Sequence, residues 1–419
     1  MTGFIRFSNR VLGVIRDIAY MCSHREKATY FTRSTAKMSF VQLVAFIASL
    51  PKASMQAEVN RFLKCMGSRE NIRRQSLTEA RFKLSYTAFV ELNDLVASDG
   101  YEDGYKTVHG FRPIAVDGSV FDMPSIAARD FGTQKTAGED VAKARAVALV
   151  DVANDIILAS DLYEYAEDER TIASKLIENF FKKGHNKNDL FLHDRGFPST
   201  GLITKLETLS AKYLFRVSSN FLKAVNEANK TDQLIEIKDS NGEPLTVRVV
   251  NVILPNGTIE KLLTNVLDDT YTPEHFRELY NCRWGIEVKY RELKSRLEIE
   301  NLTAGHTLLV WQDFFATVFI ANMISLAKHT AAKQVEQYNK AKERKYEYKI
   351  NGNLAIATVR PAFIEAMLEE NPRIRDKLMQ NAIDMIAREL LPIRPDRPSN
   401  KRVVKNKSAR FPMNKKGNR

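Results

Sequence analysis

Apolar positions recur at helical spacing through residues 40–50 and 57–65, with Pro51 and Gly67 as punctuation, and predict two helices near the front of the chain. Ser76-Leu77-Thr78-Glu79 reads as a capping box opening a further helix over about 77–96. Past residue 105 the pattern changes to short apolar runs and alternation. Residues 111–116 form one run, which ends in Asp117-Gly118-Ser119. Residues 144–152 and 156–162 read as two further strands, with Ala153-Asn154-Asp155 as the hairpin turn. A helix from about 167 to 183 comes next, then a strand over 189–193 that ends in Asp194-Arg195-Gly196-Phe197. A helix over 198–211 and a strand over 213–217 complete the series. Three strands with hairpins, then helix, strand, helix, strand, predict a mixed α/β sheet covered by helices. Asn241-Gly242 and Asn256-Gly257 separate three more strands over 233–238, 245–254 and 258–266, expected as an inserted antiparallel subdomain.

The next helix is expected to start at Thr272 as N-cap, with Pro273 at the first helical position and Glu274 at the positive end of the dipole. Wound continuously at about 100° per residue, it gathers Tyr280, Arg283, Glu287 and Lys294 into an arc of about 60°. Ile286, Tyr290, Leu293 and Leu297 form an apolar stripe about 90° away on the same wheel. One edge of the helix therefore packs, and the adjacent edge presents an acid flanked by cations and a phenol. Residues 308–328 read as an apolar helix. Gln312, Asp313 and Asn322 interrupt it, which suits a buried helix better than a membrane span. A charged connection over 340–349 and helices over 360–369 and 373–390, with Pro361 and Pro372 near their starts, follow.

The length of 419 residues is enough for two to four domains. The pattern divides it into a helical, basic DNA-binding region (1–105), a catalytic core (106–217 and 272–335), the β insertion (218–271), a helical C-terminal region (336–390) and a basic tail (391–419), expected to be disordered without DNA. Apolar content of 44% and charged content of 27% fit a soluble globular protein. The net charge of +12 is concentrated at the ends: residues 391–419 hold ten Lys/Arg against Asp396, and residues 1–40 hold seven against Asp17 and Glu26. Basic ends on a nearly neutral body suggest a polyanionic partner, although a basic tail also serves solubility. The helix, the turn at Gly67 and the basic stretch with Arg69, Arg73, Arg74, Arg81 and Lys83 fit a helix-turn-helix DNA reader or an ordinary bundle equally well. Cys22, Cys65 and Cys282 form no Cys-x-x-Cys pair, so neither a disulfide framework nor a cysteine zinc site is supported. No secretory signal is visible, and a cytoplasmic, nucleoid-associated location is expected.

Taken singly, the candidate acids are unremarkable. An Asp beside a Gly at a strand end is usually a turn residue, and a charged helix face is usually solvated. Together, Asp117, Asp194 and Glu287 would repel one another, by about 4 kcal/mol for a pair at about 4 Å in an effective dielectric near 20. Such a set binds protons or divalent cations, and two Mg²⁺ ions can clamp both oxygens of an in-line phosphoryl displacement. Arg283 and Lys294 beside the acid suit DNA phosphates.

Tyr280-x2-Arg283-x3-Glu287-x6-Lys294 is similar to the signature of the insertion-sequence-four family of DDE transposases. Asp117-Gly118-Ser119 and Asp194-Arg195-Gly196-Phe197 precede it in the family's order, and Ser295-Arg296-Leu297-Glu298-Ile299-Glu300-Asn301-Leu302 also resembles family sequence. The resemblance covers about residues 40–330. It implies a ribonuclease-H-like mixed-sheet core with a β insertion between the second Asp and the Glu. It further implies a DDE triad of Asp117, Asp194 and Glu287 binding Mg²⁺ or Mn²⁺, with two ions expected. Tyr280, Arg283 and Lys294 are then the residues that touch the phosphates of the element end. The implied activity is cleavage at insertion-sequence ends and joining of the freed 3′-hydroxyl to target DNA, with a homodimer expected in the DNA complex. The alternatives are a domesticated, non-catalytic DNA-binding protein, which should have lost an acid, and another metal-dependent nuclease of the same fold.

Overall fold

In the computed structural model of this chain, residues 2–33, 37–68, 70–101, 104–136, 138–184, 187–254, 257–303, 305–341 and 344–394 are described. The fold divides into two compact units. One comprises residues 1–104, 122–143 and 292 onward; the other comprises 105–121 and 144–291.

The first unit opens with helices α1 (Gly3–Arg16), α2 (Ile18–Ser23), α3 (Phe40–Ala48), α4 (Met55–Cys65), α5 (Arg74–Arg81) and α6 (Thr87–Asp99). The first two are not expected from the sequence; α1 buries Phe4, Ile5, Phe7, Val11, Leu12 and Ile15. Ser39 caps α3 in a reciprocal box with Gln42. The helix expected over 77–96 is instead two helices, and Ser76 lies inside α5 rather than at a cap. The break has a tertiary cause. The Gln312 amide donates to the carbonyls of Arg81 (2.9 Å) and Leu84 (2.7 Å), taking acceptors that a continuing helix would use.

Arg81 is buried. Its guanidinium donates to Asp313 at 2.7 Å, Gln312 at 2.9 Å and the Leu309 carbonyl at 3.1 Å. It is a core ion pair, which corrects its assignment to a DNA-reading face. Arg69 lies outside the described residues, as does the basic tail beyond Arg394.

Continuing in chain order, β1 (Arg112–Asp122), α7 (Ala128–Phe131), β2 (Thr133–Thr136), β3 (Glu139–Asp151), β4 (Ile156–Glu164), α8 (Glu169–Lys183), β5 (Asp189–His193), α9 (Thr200–Thr208) and β6 (Lys212–Val217) follow. Then come α10 (Lys223–Glu227), β7 (Asp232–Lys238), β8 (Pro244–Ile253), β9 (Ile259–Thr264), α11 (Pro273–Asn281) and α12 (Trp284–Ser295). The chain closes with α13 (Thr307–Lys340), β10 (Tyr348–Ile350), α14 (Gly352–Leu368), α15 (Pro372–Arg388) and β11 (Leu390–Pro392). Pro372 does open α15, but Pro361 lies inside α14 rather than near its start. The helix α13 is long and apolar enough to cross a membrane, yet 83% of its most apolar window is buried inside the protein.

The second unit is built on a sheet in the order β4-β3-β1-β5-β6-β9-β8-β7. The short β2 pairs with residues 139–142 at the start of β3, within the first unit. Val152 N–H reaches Pro113 O and Met123 N–H reaches Ala142 O, the two ends of an antiparallel β1/β3 pairing. Strands β1, β5 and β6 run parallel to one another, and β3 and β4 form a hairpin. This is a ribonuclease-H-like core. The meander β7-β8-β9 forms as its turns predict, with Gly242 at φ 87° and Gly257 at φ 81°. It extends the same sheet through β6/β9 pairing. Phe276, Leu279 and Tyr280 of α11 pack with Leu190, Leu192, Leu214, Val250 and Leu262 of the strands, which fixes α11 against one sheet face.

Candidate active site

The parallel β1/β5 register places the two aspartates. Its last pair is Val116↔His193, so the next residue on each strand is Asp117 and Asp194. Asp117 is not in a strand-end turn as expected. The strand β1 continues to Asp122, and it is β5 that ends here. Each carboxylate is held by a backbone N–H one residue on: Gly118 N to Asp117 Oδ1 at 3.0 Å and Arg195 N to Asp194 Oδ1 at 2.7 Å.

Thr272 caps α11 with the side chain of His275 returning the bond, and Pro273 takes the first position. The single helix expected from Thr272 is interrupted at Cys282 and Arg283. Across the junction the bonds shorten to i→i−3: Arg283 N to Tyr280 O at 3.0 Å, Gly285 N to Cys282 O at 2.9 Å and Ile286 N to Arg283 O at 3.1 Å. Tyr280 therefore ends α11 while Glu287 lies in the first turn of α12. Gly285 seats that turn; a Cβ there would stand 2.9 Å from Val152 Cβ and Cγ1. The predicted apolar stripe holds, with Ile286, Tyr290, Leu293 and Leu297 all buried. Tyr290 does more than pack: its hydroxyl donates to the Asp117 carbonyl at 2.9 Å, tying α12 to β1 at the acid. Lys289 pairs with Asp155 in the β3–β4 turn at 2.8 Å. Neither tie is legible in the sequence, because both partners are distant along the chain.

The three acids meet at Arg283, which is 8% exposed. Its Nη2 donates to Glu287 Oε1 at 2.8 Å, and Nη1 stands 3.8 Å from Asp117 Oδ2. Burial opposes the guanidinium charge, but Glu287, Tyr280, Asp194 and Asp117 together raise its pKa above the ordinary arginine value. Asp194 accepts from the Tyr280 hydroxyl at 3.3 Å. Burial, then the neighbouring Asp194 charge, push that phenol well above its usual range, so it stays a donor. Burial foremost, then the charge of Glu169, push Asp117 up to about 7; Arg283 and the Gly118 N–H pull the other way. Glu169 carries no motif in the sequence that would mark it. Lys294 falls in the other unit and pairs with Glu300 at 3.5 Å.

Among the described residues no group of three or more His, Cys, Asp or Glu side chains is gathered closely enough to hold a metal ion. The guanidinium stands where the acids converge. The donors themselves fit a hard divalent cation: three carboxylates from three elements, aimed at one shared positive charge.

A strand pair delivering two aspartates and a helix delivering a glutamate, on a ribonuclease-H-like sheet, define a polynucleotidyl-transfer type of fold. The model of the transposase DDE domain matches residues 109–323, half of the chain, and the chain belongs to that family. It is 25% identical over 246 residues to the transposase InsG for insertion sequence element IS4 of Escherichia coli (strain K12), an alignment covering 52% of this chain and 54% of that protein. The chain thus spans about half the length of this curated relative. The fold is similar to that of the piggyBac transposase in a cryo-EM synaptic complex with hairpin DNA. The TM-score is 0.51 at 10% identity, covering 90% of this chain and 85% of that one.

Proposed function

We propose that this chain is a DNA transposase that cleaves at insertion-sequence ends and joins the freed 3′-hydroxyl to target DNA. The observation that carries the reading is the convergence of Asp117 and Glu287 on the Arg283 guanidinium, with Asp194 beside Asp117 in the strand register. Asp117, Asp194 and Glu287 would hold Mg²⁺ or Mn²⁺, two ions in this reading. When bound, such cations polarise the attacking oxygen and stabilise the leaving oxygen of a phosphoryl transfer.

The protein's own groups do the rest. Tyr280 fixes one oxygen of Asp194. Tyr290 holds the backbone of Asp117 against α12. Arg283 neutralises the acids before substrate arrives, and then engages the phosphates of the element end along with Tyr280 and Lys294. A homodimer on the DNA, with both element ends held together, completes the proposal, and chromosomal DNA as the partner implies work in the cytoplasm at the nucleoid.

The test is Glu287→Gln, which removes a ligand charge and keeps the side-chain size. We expect loss of both nicking and joining, by at least two orders of magnitude, with end binding retained. Loss of end binding, or retained nicking in gel assays, would contradict this division of roles.

A further inference from the structure

Glu169 opens α8 and is half-buried. Its carboxyl group lies over the backbone of Gly118, the residue after Asp117. A Cβ built at position 118 would stand 2.3 Å from Glu169 Oε1 and 2.6 Å from its carboxyl carbon. Gly118 is not among the positive-φ glycines, so its backbone does not demand glycine. What the missing side chain provides is room for the Glu169 carboxylate.

The other oxygen is already engaged. Arg145 Nη1 donates to Glu169 Oε2 at 3.3 Å, and Nε and Nη2 of the same arginine donate to the Tyr165 carbonyl at 3.3 and 3.2 Å. The Arg145 guanidinium lies 5.6 Å from the Tyr165 ring centroid. Arg145 thus fixes one oxygen and leaves Oε1 over the Asp117–Gly118 step. A cavity of about 390 Å³ opens beside it, lined by Arg145, Glu169, Arg170, Gly196 and Phe197 among others. The cavity therefore also borders the turn that begins with Asp194. A favourable place for an acid in the first turn of a helix, or a partner for Arg145, would account for Glu169 being acidic. Neither accounts for the bare glycine beneath its second oxygen.

We propose that Glu169 is a fourth carboxylate of the metal site, reaching the cation over Gly118 on the Asp117 side, with Arg145 as its positioning residue. The inference rests on the reading that Asp117, Asp194 and Glu287 hold divalent cations, and its test separates the two.

The experiment is calorimetric titration of the full chain with Mn²⁺ alone, in the wild type and in Glu169→Gln, Glu169→Asp and Asp117→Asn. Circular dichroism and Tm report folding. We expect Asp117→Asn to lose Mn²⁺ uptake. Glu169→Gln should weaken the affinity about tenfold, within the range for disturbed metal sites. Glu169→Asp, which keeps the charge but shortens the reach, should weaken it as well. If Asp117→Asn loses Mn²⁺ while Glu169→Gln binds as the wild type does, the inference about Glu169 is overturned and the parent reading stands. A weakened Gln variant beside a wild-type-like Asp variant would mean a through-space charge effect, which also overturns it. If Asp117→Asn keeps full Mn²⁺ affinity, the metal reading of the triad itself fails. Should Glu169→Gln not fold, Gly118→Ala displaces the carboxylate sterically and is expected to give the same loss.

Discussion

Arg81 and Arg283 are both buried arginines, and they differ in what surrounds the guanidinium. Arg81 faces one carboxylate, Asp313, plus a carbonyl and an amide oxygen, so its charge is matched and its position fixed. Arg283 is shared by Glu287 and Asp117 with Asp194 also acting on it, so acid outnumbers base and the surplus favours a further cation. Replacing Arg81 with Ala strands Asp313 in the interior. A loss of about 3–5 kcal/mol in urea denaturation is expected, since removing one partner leaves a buried charge uncompensated. The folded fraction should keep wild-type DNA binding. A mild stability change with weakened DNA binding would restore Arg81 to a reading role. Nothing around residue 81 distinguishes it from the arginines at 73 and 74, because its partners lie 231 and 232 positions away.

At the scale of elements, the junction between α11 and α12 decides where Glu287 points. Gly285→Ala would drive a methyl group into Val152, with overpacking of about 1–3 kcal/mol, and should slow nicking as the first turn of α12 lifts. Val152→Ala in the same chain should recover most of the lost Tm and rate. Failure of that rescue would show that the glycine serves the backbone instead.

The same junction marks how far the sequence can be read. The aspartates are legible as strand-end residues because an apolar run stops at each. The β-meander is legible because Asn-Gly turns punctuate it. The helix break is not, since the apolar period passes through Cys282 and Arg283 unchanged and the interruption is imposed by packing on Val152. The continuation of β1 past Asp117 is equally hidden: it depends on β3 continuing alongside after β5 has ended. Glu169 gives no signal, because an acid in the first turn of a helix is ordinary.

For the whole molecule, charge distribution matters more than total charge. Residues 395–419 carry nine of the Lys and Arg residues against Asp396, so most of the net +12 resides in one short stretch. Deleting it should flatten the dependence of DNA affinity on salt by about 0.9 in log–log slope for each phosphate no longer neutralised, without changing which end sequence is preferred. An unchanged slope in anisotropy titrations would mean that these residues do not meet the DNA backbone.

The three acids come from positions 117, 194 and 287, so the outermost pair closes a span of 170 residues (287 − 117). Pairings of such separation form late, after the local hairpins and helices that carry them. During synthesis the β1/β5 pair, with both aspartates, can assemble while the glutamate has yet to be translated. On the proposed triad, a nascent or prematurely terminated chain ending before Glu287 cannot cut, whatever DNA affinity its basic front end supplies. Short translation products of this gene would therefore act as competitors for the full-length protein rather than as weaker versions of it.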